Sequence, residues 1–260
     1  MIRRSVGTQR WTLISQVEHA RLSGALAEAW DEDRFAGLPR DELVAAIAHH
    51  DDGWSAWEVS PKVDPKSGRP LDFTETPLPD SLAIWRESIA RAEQFGPLAA
   101  YMVSGHFSAL LERFNSRWKS DSTLERLAQG FLQEQRSDRE RFLDKWRHHD
   151  NQEEGQVAAE RAVAWLQTFD ALSLWLCCAE RSEAETFHPP DTESVTFSPN
   201  GGPYALEVSP WPFGGQSLEV EAVGRSIIAQ RYANSSDLVT SPAEPVTLRW
   251  SLRPATACMT

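Results

Sequence analysis

Four ionisable side chains sit on the apolar stripes of four separate helical patterns, and this limits what the chain can fold into more tightly than any other feature. His19 has Leu22 and Leu26 three and seven positions ahead of it, and His50 follows Leu43, Ala46 and Ile47 at seven, four and three positions. His106 lies between Val103 and Leu110, and Asp170 shares a stripe with Val163, Leu166, Leu174 and Cys177. Residues at these spacings stand on one face of a helix, so each ionisable group points toward a core. One inward histidine is ordinarily a hydrogen-bonded core residue, and one inward Asp a cap or an ion-pair partner. Four on four helices are harder to explain separately, because burying uncompensated charge costs several kcal/mol each time. A divalent cation at a point of convergence compensates all of them together, and imidazole and carboxylate suit iron, zinc or manganese.

The elements around these residues are read from period and punctuation. Trp11–Ile14 is β-like, and Ser15 is placed to cap a helix from Gln16 to about Trp30. A second helix from Pro39 runs into His49-His-Asp-Asp-Gly-Trp54, with Gly53 as its stop signal. Residues 60–79 hold six prolines and glycines and read as a long loop, a candidate lid. Helical patterns resume over about 80–95, 97–118, 122–148 and 156–179. After Phe187 the texture becomes short β-prone segments separated by turn residues, which predicts an antiparallel meander and a boundary near His188. The expected fold is therefore mainly α, and α+β overall, with a helical bundle over residues 1–187. A small antiparallel β appendage covers 188–260, with the strand at 11–14 available to join it.

Composition excludes several function classes. The net charge of −12, from 26 basic and 38 acidic residues, disfavours nucleic acid and anionic membranes as partners. A small anionic molecule remains compatible, since a local basic pocket does not show in a net charge. Three cysteines without a C-x-x-C pair argue against a disulfide framework or thiolate zinc, and point to a reducing cytoplasm. No signal peptide or membrane-spanning run is evident. The chain does not indicate an oligomeric state.

Other residues near the inward set are secondary candidates. Gln16 lies one turn before His19, and Asp52 is placed to orient a ligand imidazole or to end the helix. His49 points about 100° away from His50 on an α-helix, a structural position. His148-His-Asp150 repeats the letters of His49-His-Asp51 but sits among charged residues and reads as a helix-end cap. No serine or cysteine has the context of a nucleophile.

The order His, His-Asp, His, Asp along successive helices resembles the HD superfamily of metal-dependent phosphohydrolases, over roughly His19 to Asp170. That resemblance implies His19, His50, Asp51 and Asp170 as primary metal ligands and His106 as the histidine facing a second metal or a phosphate. Asp51 and His106 become the catalytic candidates, with one or two divalent ions. Many members carry a Lys three residues after the His-Asp pair; here Trp54 stands there, so Arg69, Arg86 or Lys62 would have to meet a phosphate. A closer similarity is to a bacterial group, domain-of-unknown-function family 3891. It is carried by Gln16-Val-Glu-His-Ala-Arg-Leu-Ser-Gly24, His50-Asp-Asp-Gly-Trp54 with Trp57, Gly68-Arg-Pro-Leu-Asp-Phe73, Ser104-Gly-His106 and Pro210-Trp-Pro-Phe213. It implies no activity.

Three functions follow as expectations. The first is hydrolysis of a phosphoester or other small anionic substrate by metal-activated water. The second is a di-iron oxygenase on the same scaffold, which a dry site lined by Trp54, Trp57 and Trp85 would suit. The third is a non-catalytic module that binds a ligand or protein, with Trp211 and Phe213 as anchors.

Overall fold

The computed structural model describes residues 1–146 and 152–256. His148, His149, Asp150, Asn151 and Cys258 lie outside the described residues. The chain opens with strands β1 (Ile2–Val6) and β2 (Arg10–Ile14), followed by helices α1 (Gln16–Ala29), α2 (Arg40–His49), α3 (Trp54–Glu58), α4 (Leu78–Ala92), α5 (Pro97–Arg113), α6 (Ser122–Trp146) and α7 (Gln152–Cys178). Strands β3 (Glu185–Phe187), β4 (Val195–Pro199), β5 (Ala205–Ser209) and β6 (Leu218–Ile228) come next, then the short helix α8 (Ser235–Thr240) and strand β7 (Glu244–Pro254).

All seven strands join one mixed sheet in the order β1-β2-β6-β7-β5-β4-β3, with β5 parallel to β7 and every other pair antiparallel. This overturns the expectation of a mainly helical bundle with a small antiparallel appendage: the fold is α+β with a substantial sheet. The physical reasons are local. Residues 1–10 look polar, but they alternate. Ile2 and Arg4 face inward, and the fully buried Arg4 guanidinium donates to the carbonyls of Leu176 (2.9 Å) and Cys177 and to Tyr204 Oη. A charged side chain is thus a core residue, because it satisfies the free carbonyls at the end of α7. Gly7, at φ +57°, turns β1 into β2. The second reason lies in β6, which runs unbroken through Gly224 where the sequence suggested two short strands. A Cβ at Gly224 would come within 2.9 Å of the Leu13 carbonyl of β2, so the glycine marks a close strand approach and not a turn. Strands β6 and β7 pair from Leu218↔Leu252 to Ser226↔Glu244, and the parallel β5–β7 pair excludes a simple meander.

Helices and sheet share one core. It includes Ile2 and Ile14 from the first hairpin, Leu22 and Leu26 from α1, and Leu248, Trp250 and Leu252 from β7. The Trp211–Phe213 segment packs into it, with Phe213 edge-on to Trp30 at 5.1 Å. Trp211 is half-buried, and its indole N–H donates to the Gly215 carbonyl. No helix among the described residues is long and apolar enough to cross a membrane.

Candidate metal centre

Four elements deliver the inward residues to one point. Ser15 Oγ accepts from Glu18 N at 3.0 Å and starts α1, which places His19 in its second turn. His50 caps the C-terminus of α2, and Asp51 follows in the tight turn that leads into α3. His106 and Asp170 project from the middles of α5 and α7. Small residues set the helix spacing. A Cβ at Gly24 would overlap Ala48 of α2, and one at Gly105 would lie 2.7 Å from Val163 of α7. Gly53, read from the sequence as a helix stop, has an ordinary helical φ of −62°. Its role is proximity: a side chain there would overlap the Ile84 carbonyl of α4, and its N–H donates to Ser88 Oγ at 3.0 Å.

His19, His50, Asp51, His106 and Asp170 are all buried. Candidate ligand atoms of His19, His50 and Asp51 lie within 4.8 Å of one another, as do those of His50, His106 and Asp170. His19 Nε2 is 3.0 Å from Asp51 Oδ2 and 3.6 Å from Asp170 Oδ1. His50 Nε2 is 3.3 Å from Asp170 Oδ1 and 3.6 Å from Asp51 Oδ2, without a hydrogen bond to either. The His50 ring lies 5.2 Å from that of His19 and 5.3 Å from that of His106.

Hydrogen bonds on the far sides of the rings decide which nitrogens face the centre. His50 Nδ1 lies 2.8 Å from the Ile47 carbonyl, which can only accept, so Nδ1 carries the proton and Nε2 of the neutral ring is a bare lone pair. His19 Nδ1 is 2.8 Å from Ser173 Oγ and its Nε2 is 3.0 Å from Asp51 Oδ2, both within hydrogen-bond distance, so Ser173 holds the ring in place whichever nitrogen carries the proton. Ser23 Oγ, 2.7 Å from Ser173 Oγ, completes this support. The His50 Nε2 lone pair is thus aimed at two carboxylates that His19 Nε2 also meets, an arrangement that a proton or a cation must bridge.

The proton affinities follow. Burial lowers that of His50, but Asp51 and Asp170 outweigh it and raise its pKa to about 9. Burial takes His106 down to about 4, only partly opposed by Asp170. The Asp170 carboxyl is pushed up by burial and pulled down harder by the His106, His50 and His19 imidazoles, ending below the usual carboxylate range. A divalent cation fits this donor set. Two buried ring nitrogens are left without hydrogen bonds: His50 Nε2, an acceptor when its ring is neutral, and His106 Nδ1. Because Nδ1 of His50 is committed to Ile47, its single remaining lone pair serves one ion only.

The centre forms the floor of a cavity of about 270 Å³ to which Asp51, His106 and Asp170 contribute. Trp54, three residues after the His-Asp pair, lines it together with Gln16, whose side-chain N–H₂ is buried without an acceptor among the described residues. Trp85 also lines it, whereas Trp57 lies under the Lys62 ammonium (3.9 Å) outside the cavity. Three other candidates lie elsewhere. Asp52 bonds His49 (2.9 Å) instead of a ligand imidazole. Arg86 is forked onto Glu134 of α6 at 2.6–3.0 Å. Arg69 is exposed: its half of the 60–79 loop is tied to the segment after β6 by Tyr232 N and Arg231, and to β1 by Arg3, whose guanidinium donates to the Pro70 carbonyl. The other half of that loop does reach the cavity, through Phe73, Thr74 and Thr76. Cys177 and Cys178 stay protonated, since burial pushes the first well up and the second to about 11.

Sequence reasoning missed Ser173 and the cavity rim of Arg113, Phe114, Arg117 and Trp118. Spacing holds part of the signal: Ser173 is three residues from Asp170, and Arg113 is seven from His106 on the same face of α5. Comparison with curated proteins and with solved structures finds no match. A family model, protein of unknown function (DUF3891), matches residues 1–229. This chain belongs to that family.

Proposed function

We propose that the protein is a metal-dependent enzyme, a hydrolase that acts on a phosphoester or other small anionic substrate held in the cavity above the His/Asp cluster. The observation that carries this reading is the convergence of His50 Nε2 and His19 Nε2, on rings positioned by Ile47 and Ser173, upon two buried carboxylates. A divalent cation held there supplies Lewis acidity, lowering the pKa of a water and neutralising charge that develops on the substrate. His19, His50, Asp51 and Asp170 would hold it, and the two carboxylates balance its charge. His106, with a pKa near 4, is a weak base, so its part is to ligate or to accept a hydrogen bond, not to store a proton. Gln16 offers a free amide N–H to a substrate oxygen. The aromatic walls keep water out and strengthen every charge interaction at the floor.

The test is phosphoester hydrolysis by metal-loaded protein, beginning with p-nitrophenyl phosphate and its diester. Activity that falls by at least about a hundredfold in both His50→Ala and Asp51→Ala supports the reading; full activity in both contradicts it. The apolar walls favour a second reading, iron-dependent oxygen chemistry on a largely apolar substrate. Oxygen consumption with iron but not with zinc or manganese would move that reading ahead.

A further inference from the structure

The rim of the cavity is chemically unlike its floor. Arg113, Arg117 and Lys119 fall within seven residues that contain no acidic side chain, in a protein whose net charge is −12. Arg113 and Arg117 both line the cavity, and among the described residues the only carboxylates lining it are Asp51 and Asp170 at the floor. The Arg117 guanidinium lies over the Phe114 ring at 4.7 Å, which restricts it, and neither arginine has a carboxylate partner among the described residues. Trp118, on the same rim, has a buried indole N–H with no acceptor among the described residues. A buried donor left unpaired is costly, so it marks a place where an acceptor is missing. Between rim and floor the wall is apolar, with Trp85, Phe107, Leu110 and Leu174.

We propose that this rim, through Arg113, Arg117 and Trp118 Nε1, binds the anionic end of the ligand. The cavity then takes an amphipathic anion: an apolar body with a carboxylate, sulfonate or phosphate group at the mouth and its other end at the His/Asp floor. Two guanidiniums supply charge-assisted donors, the indole supplies a third, and the apolar wall accounts for the ligand's body. The inference rests on the proposed function only in taking the floor as the reacting end.

Fluorescence titration tests it with two probes of nearly the same shape, anionic 8-anilinonaphthalene-1-sulfonate and neutral N-phenyl-1-naphthylamine. Each is titrated into chelator-stripped and into metal-loaded protein, so that binding at the rim is separated from coordination at the floor. The expected result is one sulfonate per chain, bound with or without metal and at least about tenfold more weakly by the Arg113→Gln/Arg117→Gln variant. The neutral probe should bind that variant as it binds wild type, and Trp118→Phe should weaken the sulfonate selectively. Both arginines are exposed, so the double variant should keep its thermal transition and its metal content. Equal sulfonate affinity in wild type and double variant, or an equal loss for both probes, would overturn the inference. Arginine-dependent sulfonate binding to protein that takes up no metal would sustain it while removing the metal-dependent function.

Discussion

At the scale of single residues, His50 concentrates the argument. Its Nδ1 proton is committed to the Ile47 carbonyl, and its Nε2 faces two carboxylates, so in the metal-free protein that nitrogen holds a proton up to about pH 9. Its folded pKa is raised above the unfolded 6.5, so the stability it contributes is complete below pH 6.5 and is lost as pH rises through about 9. His106 has the opposite sign. Lowered to about 4, it contributes stability above pH 6.5 that is lost as pH falls toward 4. Metal-free protein is therefore most stable, as far as these two groups decide it, near pH 6.5. Metal must displace the His50 proton, so affinity should rise from pH 6.5 to 9, with about one proton released per ion near pH 7.5. Calorimetry in two buffers of different ionisation enthalpy measures that release; uptake without proton release would contradict this account of His50.

At the scale of elements, the centre depends on how closely helices approach. Gly24 lets α1 meet α2 at Ala48, bringing His19 and His50 to a ring separation of 5.2 Å. Gly24→Ala should destabilise the protein by about 1–3 kcal/mol in urea unfolding and weaken metal uptake with it, because overpacking here pushes apart the helices that carry two ligands. Unchanged stability would mean the contact relaxes freely. What was legible in the sequence follows from range. Helical spacing is local, so the inward faces of His19, His50, His106 and Asp170 could be read directly, and these are the residues the structure brings together. Partners that depend on packing between elements could not be read. Arg86 spends its charge on Glu134 of a different helix, and Arg69 follows a loop pinned to the sheet. Strand β1 was hidden because its inward Arg4 resembles a surface residue until the carbonyls of α7 are placed beside it. Strand β6 was hidden because Gly224 carries the mark of a turn without making one.

At the scale of the whole molecule, sheet and helices stand or fall together. The family match ends at residue 229, yet β7 lies between β6 and β5 and buries Leu248, Trp250 and Leu252. A chain ending after residue 229 should therefore give no cooperative thermal transition, since it loses an inner strand and the core under it. A transition like that of the full chain would show β7 to be dispensable. The candidate metal centre gathers α1, α2 with its following turn, α5 and α7, so an ion there would tie four elements of the fold to one point. Elemental analysis of purified protein, beside His50→Ala and Asp170→Ala variants whose helical content is checked by circular dichroism, tests the central claim most directly. The account predicts about one divalent ion per chain in wild type and its loss from both folded variants. Wild type that holds no iron, zinc or manganese, even after reconstitution, would contradict it.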